Sequence, residues 1–554
     1  RSSLAFQLAR GLEFSVSGSV DYLTFNVLNH ENSQMGAAAS FKGRSTRKND
    51  RSLTFSANQL LRYDTVWGQH HLGAMAGHES FSLKINHLEA IRSGFPLPGL
   101  FELNAAAKSE GSGSYEDNYR IESYLGKVDY NYAGKYYANV SIRRDGNSIF
   151  HQDRRWADFW SAGVAWKISE EEFLNELSWL NTLRLKASYG EQGNDKIGTY
   201  YAYQGLYEVG WNNVSYPGML ANRLPTPDLT WESLKSANIG AEMKFLHRFL
   251  INLEYYRKDN SNLLFAMPLS PSTGFGSVDA NIAQLRNEGF ELDITTWLVK
   301  TPKVEWSVEM NFWNLKNRIM SLSQQYIING TKRWEVGRSV YDFWLQEYAG
   351  VNPETGKSRW YKDEYKTGAG GVPERTGNRI LTEKYSEATR YYQGSSLPGL
   401  MGGVASTIQA QGFDVSVFVN YALGGRVLDR GYQTIMHSGQ IYHWHQDILE
   451  RWTPENRETT IPILDRDQNA NAQSSRFLTS GDYFSLRNVT LGYQLPANLL
   501  MQKKVSGLRL FLSGDNLLLA SARRGLDPRQ SIAGTPLDES PSVRTITFGL
   551  NVTF

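Results

Sequence analysis

Apolar and polar residues alternate with a period of two along nearly the whole chain. In the closing segment, Ile546, Phe548, Leu550, Val552 and Phe554 fall on one face of an extended strand, and Thr545, Thr547, Gly549, Asn551 and Thr553 on the other. Successive side chains of a strand point to opposite faces, so one face here is apolar and the other is not. Phe14, Val16, Val20 and Tyr22 alternate in the same way with Ser15, Ser17, Ser19 and Asp21. So do Leu183, Leu185, Ala187 and Tyr189 with Arg184, Lys186 and Ser188, and Trp306, Val308, Met310 and Phe312 with Ser307, Glu309 and Asn311. The pattern predicts strands of about nine to thirteen residues, longer than most globular strands and suited to a tilted membrane crossing.

The connections alternate between short and long. Short ones are predicted at Arg10-Gly11, Trp67-Gly68, Ala133-Gly134, Leu246-His247 and residues 300–303, 409–412 and 496–504. Long polar stretches lie between them, at about 25–51, 84–118, 191–234, 258–285, 316–397, 423–482 and 517–540. A membrane β-barrel has short turns at one end and long loops at the other, in strict alternation. A soluble sandwich could end on a similar strand but has no reason to keep that order. The expectation is an all-β fold, a transmembrane antiparallel β-barrel, with about seventeen strands whose first and last both run toward the short-turn side. Single-chain bacterial barrels have even strand numbers, and an open edge in lipid leaves backbone groups unpaired. Residues 1–554 are therefore expected to be the carboxyl-terminal part of a larger barrel. One short connection looks mildly helical, with Ser169 and Glu172 spaced as a capping box.

Composition adds exclusions. Lys and Arg number 58 against 56 Asp and Glu, a net charge of +2 with no long basic run, so nucleic acid is a poor partner. Mean hydropathy is −0.45 and no run of about eighteen apolar residues exists, so no membrane helix is expected. A barrel needs only half of each strand to be apolar. There is no cysteine, hence no disulfide and no thiolate metal site. Aromatic residues make up 13%, which suits interfacial girdles and exposed stacking surfaces.

Several motifs carry a resemblance. They are Arg143-Arg144-Asp145-Gly146-Asn147-Ser148-Ile149-Phe150, Trp166-Lys167-Ile168-Ser169-Glu170 and Leu183-Arg184 through Ser188-Tyr189-Gly190 to Gly193-Asn194. Pro227-Asp228-Leu229-Thr230-Trp231-Glu232, Asn287-Glu288-Gly289-Phe290-Glu291, Val351-Asn352-Pro353-Glu354-Thr355-Gly356 and Leu486-Arg487-Asn488-Val489 follow in order. Together they resemble the SusC-like family of TonB-dependent outer-membrane transporters, from about Gly11 to Phe554. Trp160 stands where the family usually has Pro, and Phe484 where it usually has Leu. The resemblance implies a Gram-negative outer membrane and a 22-stranded barrel, of which this chain supplies about the last seventeen strands. It further implies a plug domain that is not present in this chain, as are the first barrel strands, and a TonB complex reached through the missing amino-terminal region. A SusD-like surface lipoprotein and an oligosaccharide or peptide cargo complete what it implies.

No nucleophile constellation, His-Glu-x-x-His or phosphate loop is present, so no enzyme is expected, and neither is a cofactor. Aromatic residues of the long loops are candidate ligand or partner contacts, because sugar rings and peptides stack on exposed π faces. They are Trp211, Tyr216, Trp344, Trp360, Tyr361, Tyr391 and Tyr392; packing inside large loops is the alternative for each. His443, Trp444 and His445 form a further candidate contact, and a metal pair only if extended. Asp465 to Asn471 carries alternate oxygen ligands but lacks the Gly and Glu of a calcium loop, so no metal is expected. A passive porin or surface scaffold on the same barrel, and a secreted glycan-binding β-protein, remain as other readings.

Overall fold

The alternating segments form antiparallel ladders. The computed structural model describes residues 1–174, 176–437, 439, 443–464, 469–496, 505–536 and 542–554. Two compact units divide the chain: Arg1–Lys167 with Ala187–Ala237 and Asn260–Ala283, and Ile168–Lys186 with Asn238–Asp259 and Gln284–Phe554.

In the first unit seven strands pair in sequence order: β1 Ser2–Ala9, β2 Leu12–Glu31, β3 Arg44–Trp67, β4 His70–Ser93, β5 Lys108–Tyr132, β6 Tyr136–Asn147 and β7 Trp156–Lys167. Register aligns Phe6, Phe14, Leu61, Ala76, Gly126, Ile142 and Trp160 as one row without a polar side chain across all seven. The opposite face carries Ser3, Ser17, Asn58, Glu79, Ser123 and Asp145 as another row. At the short-turn end, Trp67, His70, Tyr132, Tyr136 and Trp166 pair successively into a belt. Trp67 and His70 stack at 5.4 Å, and Tyr136 and Trp166 at 6.2 Å. Amphipathic rings at this depth match the aromatic girdle of a membrane barrel. Along β5 the apolar face is bounded at its other end by Tyr124, which meets Trp156 at 6.2 Å. Eight residues of strand separate Tyr124 from Tyr132, about 27 Å along the strand, close to the ~25 Å band expected of such barrels.

The second unit shows the two faces more cleanly. Strands Val304–Trp313, Leu400–Ala410, Phe413–Leu423, Tyr483–Gln494, Gly507–Ser521 and Thr545–Thr553 pair in that order. Trp306, Ile408, Val415, Leu491, Leu512 and Phe548 make one row, while Ser307, Thr407, Ser416, Thr490, Ser513 and Thr547 make the next row on the other face. Phe548 is 71% exposed, so its ring stands largely uncovered by the described residues. Hydroxyls on the polar face bond laterally, with Thr490 and Ser513 at 3.0 Å.

Short turns occur where expected among the described residues; the connection at 496–504 lies almost wholly outside them. Ala133 and Gly134 have φ of 55° and 69°, and Gln411 and Gly412 have 51° and 89°. Positive φ at both central residues gives the turn twist that two-residue hairpins favour.

Two expectations are corrected. Residues 25–51, 84–118 and 258–285 are not mainly loops: β2 to β5 run 20 to 25 residues, leaving only 32–43 and 94–107 as connections, and the strands Phe249–Pro268 and Ser277–Lys300 leave only 269–276. Beyond the lipid both faces meet water, so the ladder continues while the hydrophobic alternation that reveals it fades. Ser169 does not cap a helix; it lies inside the 3₁₀ turn Ile168–Glu170, and its buried hydroxyl has no hydrogen-bond partner among the described residues.

Candidate functional site

The polar face of the first unit forms a shallow wall. Ser17, Ser19, Ser56, Asn58, Glu79, Ser123 and Arg143 are among the residues lining a 430 Å³ cavity there. Arg143 donates to Ser123 Oγ at 2.9 Å and pairs with Glu79 at 2.8 Å and Asp145 at 2.7 Å. Ser17 donates to Asn58 Oδ1 at 2.6 Å. Charges and hydroxyls are thus mutually satisfied and present a hydrophilic surface suited to polar solutes.

Also in the first unit, Leu206–Val209 pairs with Met219–Arg223 as a hairpin carrying Trp211 and Tyr216 in its connection. Trp211 is 58% and Tyr216 75% exposed. Asn213 and Tyr216 close the tip by reciprocal backbone hydrogen bonds of 3.0 Å, and Trp211 Nε1 donates to Glu208 at 3.3 Å. These two rings offer open faces for stacking.

The long connections of the second unit are a folded assembly. Strands Tyr326–Asn329, Lys332–Glu335, Asp342–Gln346 and Arg390–Ser395 make one small sheet, and Tyr348–Val351, Ser358–Thr367 and Pro373–Thr382 another. Phe343, Leu345, Leu428, Met436, Ile448 and Phe477 form their own buried cluster. The predicted aromatics of this region are largely engaged. Trp360 is 1% exposed, edge-on to Tyr348 and Tyr385 at 6.2 and 5.5 Å. Trp344 and Tyr392 meet at 4.7 Å; Arg333 lies 4.6 Å from the Trp344 ring and Arg338 4.2 Å from the Tyr392 ring. Tyr392 donates to Glu335 at 2.7 Å. Tyr391 donates to Asp363 at 2.8 Å, with Arg379 at 4.0 Å over its ring. Tyr361 is half-buried on the central strand of its sheet, its N–H bonded to Glu347 O at 3.0 Å.

His443 and Trp444 are exposed. His445 is half-buried: its Nδ1 accepts the Asp447 N–H at 3.1 Å, and its ring is edge-on to Tyr432 at 5.0 Å. Beside it, the helix Arg430–Ile435 and the segment Arg523 to Gln530 line a 310 Å³ cavity. Asp429, which caps that helix through the Tyr432 N–H, also accepts from Arg523 at 2.7 Å. Burial and the bond to Asp447 push the Tyr432 phenol up to about 12. Burial opposes ionisation of Asp527, but bonds from Arg529 at 2.6 and 2.7 Å prevail and hold its carboxyl below the usual range. The sequence offered only a weak signal for this cleft, the run Arg523-Arg524-Gly525-Leu526-Asp527 within a polar connection. Among the described residues no group of three His, Cys, Asp or Glu side chains is placed to hold a metal. The candidate calcium segment lies largely outside the described residues, at 465–468.

Lys332 is an unforeseen feature. It is 7% exposed, donates to Tyr341 O at 2.7 Å and sits 3.1 Å from the Phe343 ring centre. Burial, only partly offset by Asp342, lowers its pKa to about 7. An unfolded lysine titrates near ~10.4, so between those values the unfolded chain holds more protons and stability rises with pH. Below about 7 both states are protonated and the penalty is full, on the order of a few kcal/mol. Asp342, raised by its own burial, gives the opposite slope on the acid side. The unfolding midpoint of this loop assembly is expected to climb from pH 7 to 9.5, and Lys332→Met to flatten that climb. An unchanged pH slope in Lys332→Met, measured by proteolysis of the loops during heating, would refute it.

Comparisons with known proteins now bear on these surfaces. The family described as TonB dependent receptor-like, beta-barrel matches residues 1–517. TonB-dependent receptor P26 of Formosa agariphila is 29% identical over 89% of this chain and 52% of its own length. TonB-dependent receptor SusC of Bacteroides thetaiotaomicron is 26% identical over 81% of this chain and 45% of its own. The chain thus spans about half the length of the curated relatives it matches. The solved structure of the RagAB peptide transporter superposes with a TM-score of 0.87 at 24% identity, covering 99% of this chain and 61% of that one, which shows a shared fold. These relatives are receptors and transporters, not enzymes, and the apolar rows and aromatic belt agree with an outer-membrane location. This chain belongs to the TonB-dependent receptor-like β-barrel family of the outer membrane.

Proposed function

We propose that this chain is the carboxyl-terminal portion of an importer that takes up oligosaccharides or peptides across the outer membrane, driven through TonB. A SusD-like lipoprotein would close over the long connections, and the plug and opening strands would be supplied from outside residues 1–554. The observation that carries this reading is the pairing of an apolar row with a hydroxyl row across six consecutive strands, in a chain whose relatives are TonB-dependent receptors. The number of strands supports the carboxyl-terminal placement. Eighteen ladder strands occur among the described residues, and Lys316–Leu322 follows Val304–Trp313 after two residues as its continuation, leaving seventeen. The exposed Trp211 and Tyr216, and the satisfied polar wall around Arg143, support a path for polar cargo.

The test is uptake by cells expressing the full-length protein with its lipoprotein partner, supplied with labelled oligosaccharide and peptide libraries. Accumulation that stops when the proton-motive force is collapsed, or when TonB is absent, is the expected result. Uptake indifferent to both would make the protein a passive pore instead.

A further inference from the structure

We infer that the 310 Å³ cleft between the helix Arg430–Ile435 and the segment Arg523 to Gln530 is a recognition site for a carboxylate on a small polar group. This rests on the reading of the long connections as the cargo-facing side, and it names the chemistry of what they hold. The cleft's own acids are already committed. Asp429, 6% exposed, is bonded by Arg523, and Asp527, 4% exposed, by the Arg529 fork at 2.6 and 2.7 Å. Two groups are not committed. Arg524 is exposed at the cleft and has no hydrogen-bond or ion-pair partner among the described residues. His445 lines the cleft too; its Nδ1 is taken up by Asp447, whose N–H and carboxylate Oδ1 lie at 3.1 and 3.2 Å, and its Nε2 has no partner among the described residues.

An uncommitted guanidinium beside an uncommitted imidazole nitrogen suits a monoanion with two acceptor oxygens. A guanidinium is the group that binds a carboxylate in a fork. Space and backbone agree. Gly525, at φ +89°, lines the cleft with nothing within 4 Å of where a Cβ would stand, so the wall stays open there. The volume sits at the small end of ligand pockets and suits one sugar or amino-acid residue rather than a long chain. Arg523, 3.4 Å from the Tyr432 ring, and His445, edge-on to it, stiffen one side. Such a carboxylate can come from a uronic acid or from the terminus of a peptide.

Binding to the purified full-length receptor in detergent tests this without any need for transport. The probes are digalacturonate and its methyl diester, and a dipeptide with its carboxyl free or amidated. At least one free acid is expected to bind at least tenfold more tightly than its ester or amide, and the pair that shows this tells the sugar source from the peptide source. Arg524→Gln should remove most of that preference, Arg524→Lys should restore part of it, and Arg457→Gln, an exposed arginine that does not line the cleft, should leave it intact. Equal binding of acid and ester or amide in both pairs, or an unaltered preference in Arg524→Gln, would overturn the assignment. Loss of energised uptake with the acid preference intact would count against the importer reading alone.

Discussion

Leu550→Arg is expected to lower the stability of the inserted protein by about 2–4 kcal/mol, the cost of a guanidinium on the lipid face near mid-bilayer. Leu550 is the middle residue of the apolar set Ile546, Phe548, Leu550, Val552 and Phe554, and it pairs laterally with Leu510, itself paired with Tyr493. It is 55% exposed. Thr547→Arg places the same side chain three residues away on the face that carries Ser513 and Thr490, where water and hydroxyls can solvate it. That variant should insert and fold nearly as well as the parent. The check is the fraction of full-length protein that resists denaturation by detergent before heating, for both variants at equal expression. Comparable folding of the two would remove the basis for calling one face lipid-exposed.

The contrast between those faces was legible in the sequence because membrane strands obey a rule with a single period. Wherever one face meets lipid and the other water, alternation must hold, and Trp306 to Phe312 and Ile546 to Phe554 show it without interruption. The same rule explains where the reading fell short. Above the lipid, Asn26, Asn29 and His30 of β2 face Asn49, Thr46 and Ser45 of β3. Nothing in such a polar pair separates strand from loop in the sequence; the backbone ladder holds them, helped by side-chain bonds such as His30 Nδ1 to Ser45 Oγ at 2.8 Å.

The loop assembly was less legible for a related reason. The positions of Trp344, Tyr391 and Tyr392 drew attention as aromatics, but their partners, Arg333, Arg379 and Arg338, are brought over them by tertiary folding. An aromatic that will stack on cargo and one that will lie under an arginine have the same local sequence. The cleft at Arg524 was hidden because it joins residues about ninety positions apart, and neither stretch has a periodicity. His445 could be noticed as part of His443-Trp444-His445, whereas its commitment of Nδ1 to Asp447 depends on the turn that follows it.

Phe343→Ala is expected to open the loop assembly while leaving the strand ladders assembled. Phe343 is fully buried and packs in the cluster with Leu345, Leu428, Met436, Ile448 and Phe477. Truncating a buried Phe costs about 3–5 kcal/mol in transfer and cavity terms, more than a hundredfold in an opening equilibrium. The loss is larger for what the ring covers, since Lys332 sits 3.1 Å from its centre and would face a void. None of the six cluster residues belongs to the paired rows of Val304–Trp313 through Thr545–Thr553, so the ladder hydrogen bonds are not touched directly. Stability in a folded chain is distributed over units that open separately, and a buried cluster outside the ladder defines such a unit. Brief proteolysis of whole cells should therefore cut Phe343→Ala within 316–397 or 423–482 far faster than the parent, while the protein still resists detergent without heating. If the variant instead loses that resistance in step with its cleavage, the loops and ladders form one cooperative whole, and the separate core has no independent stability.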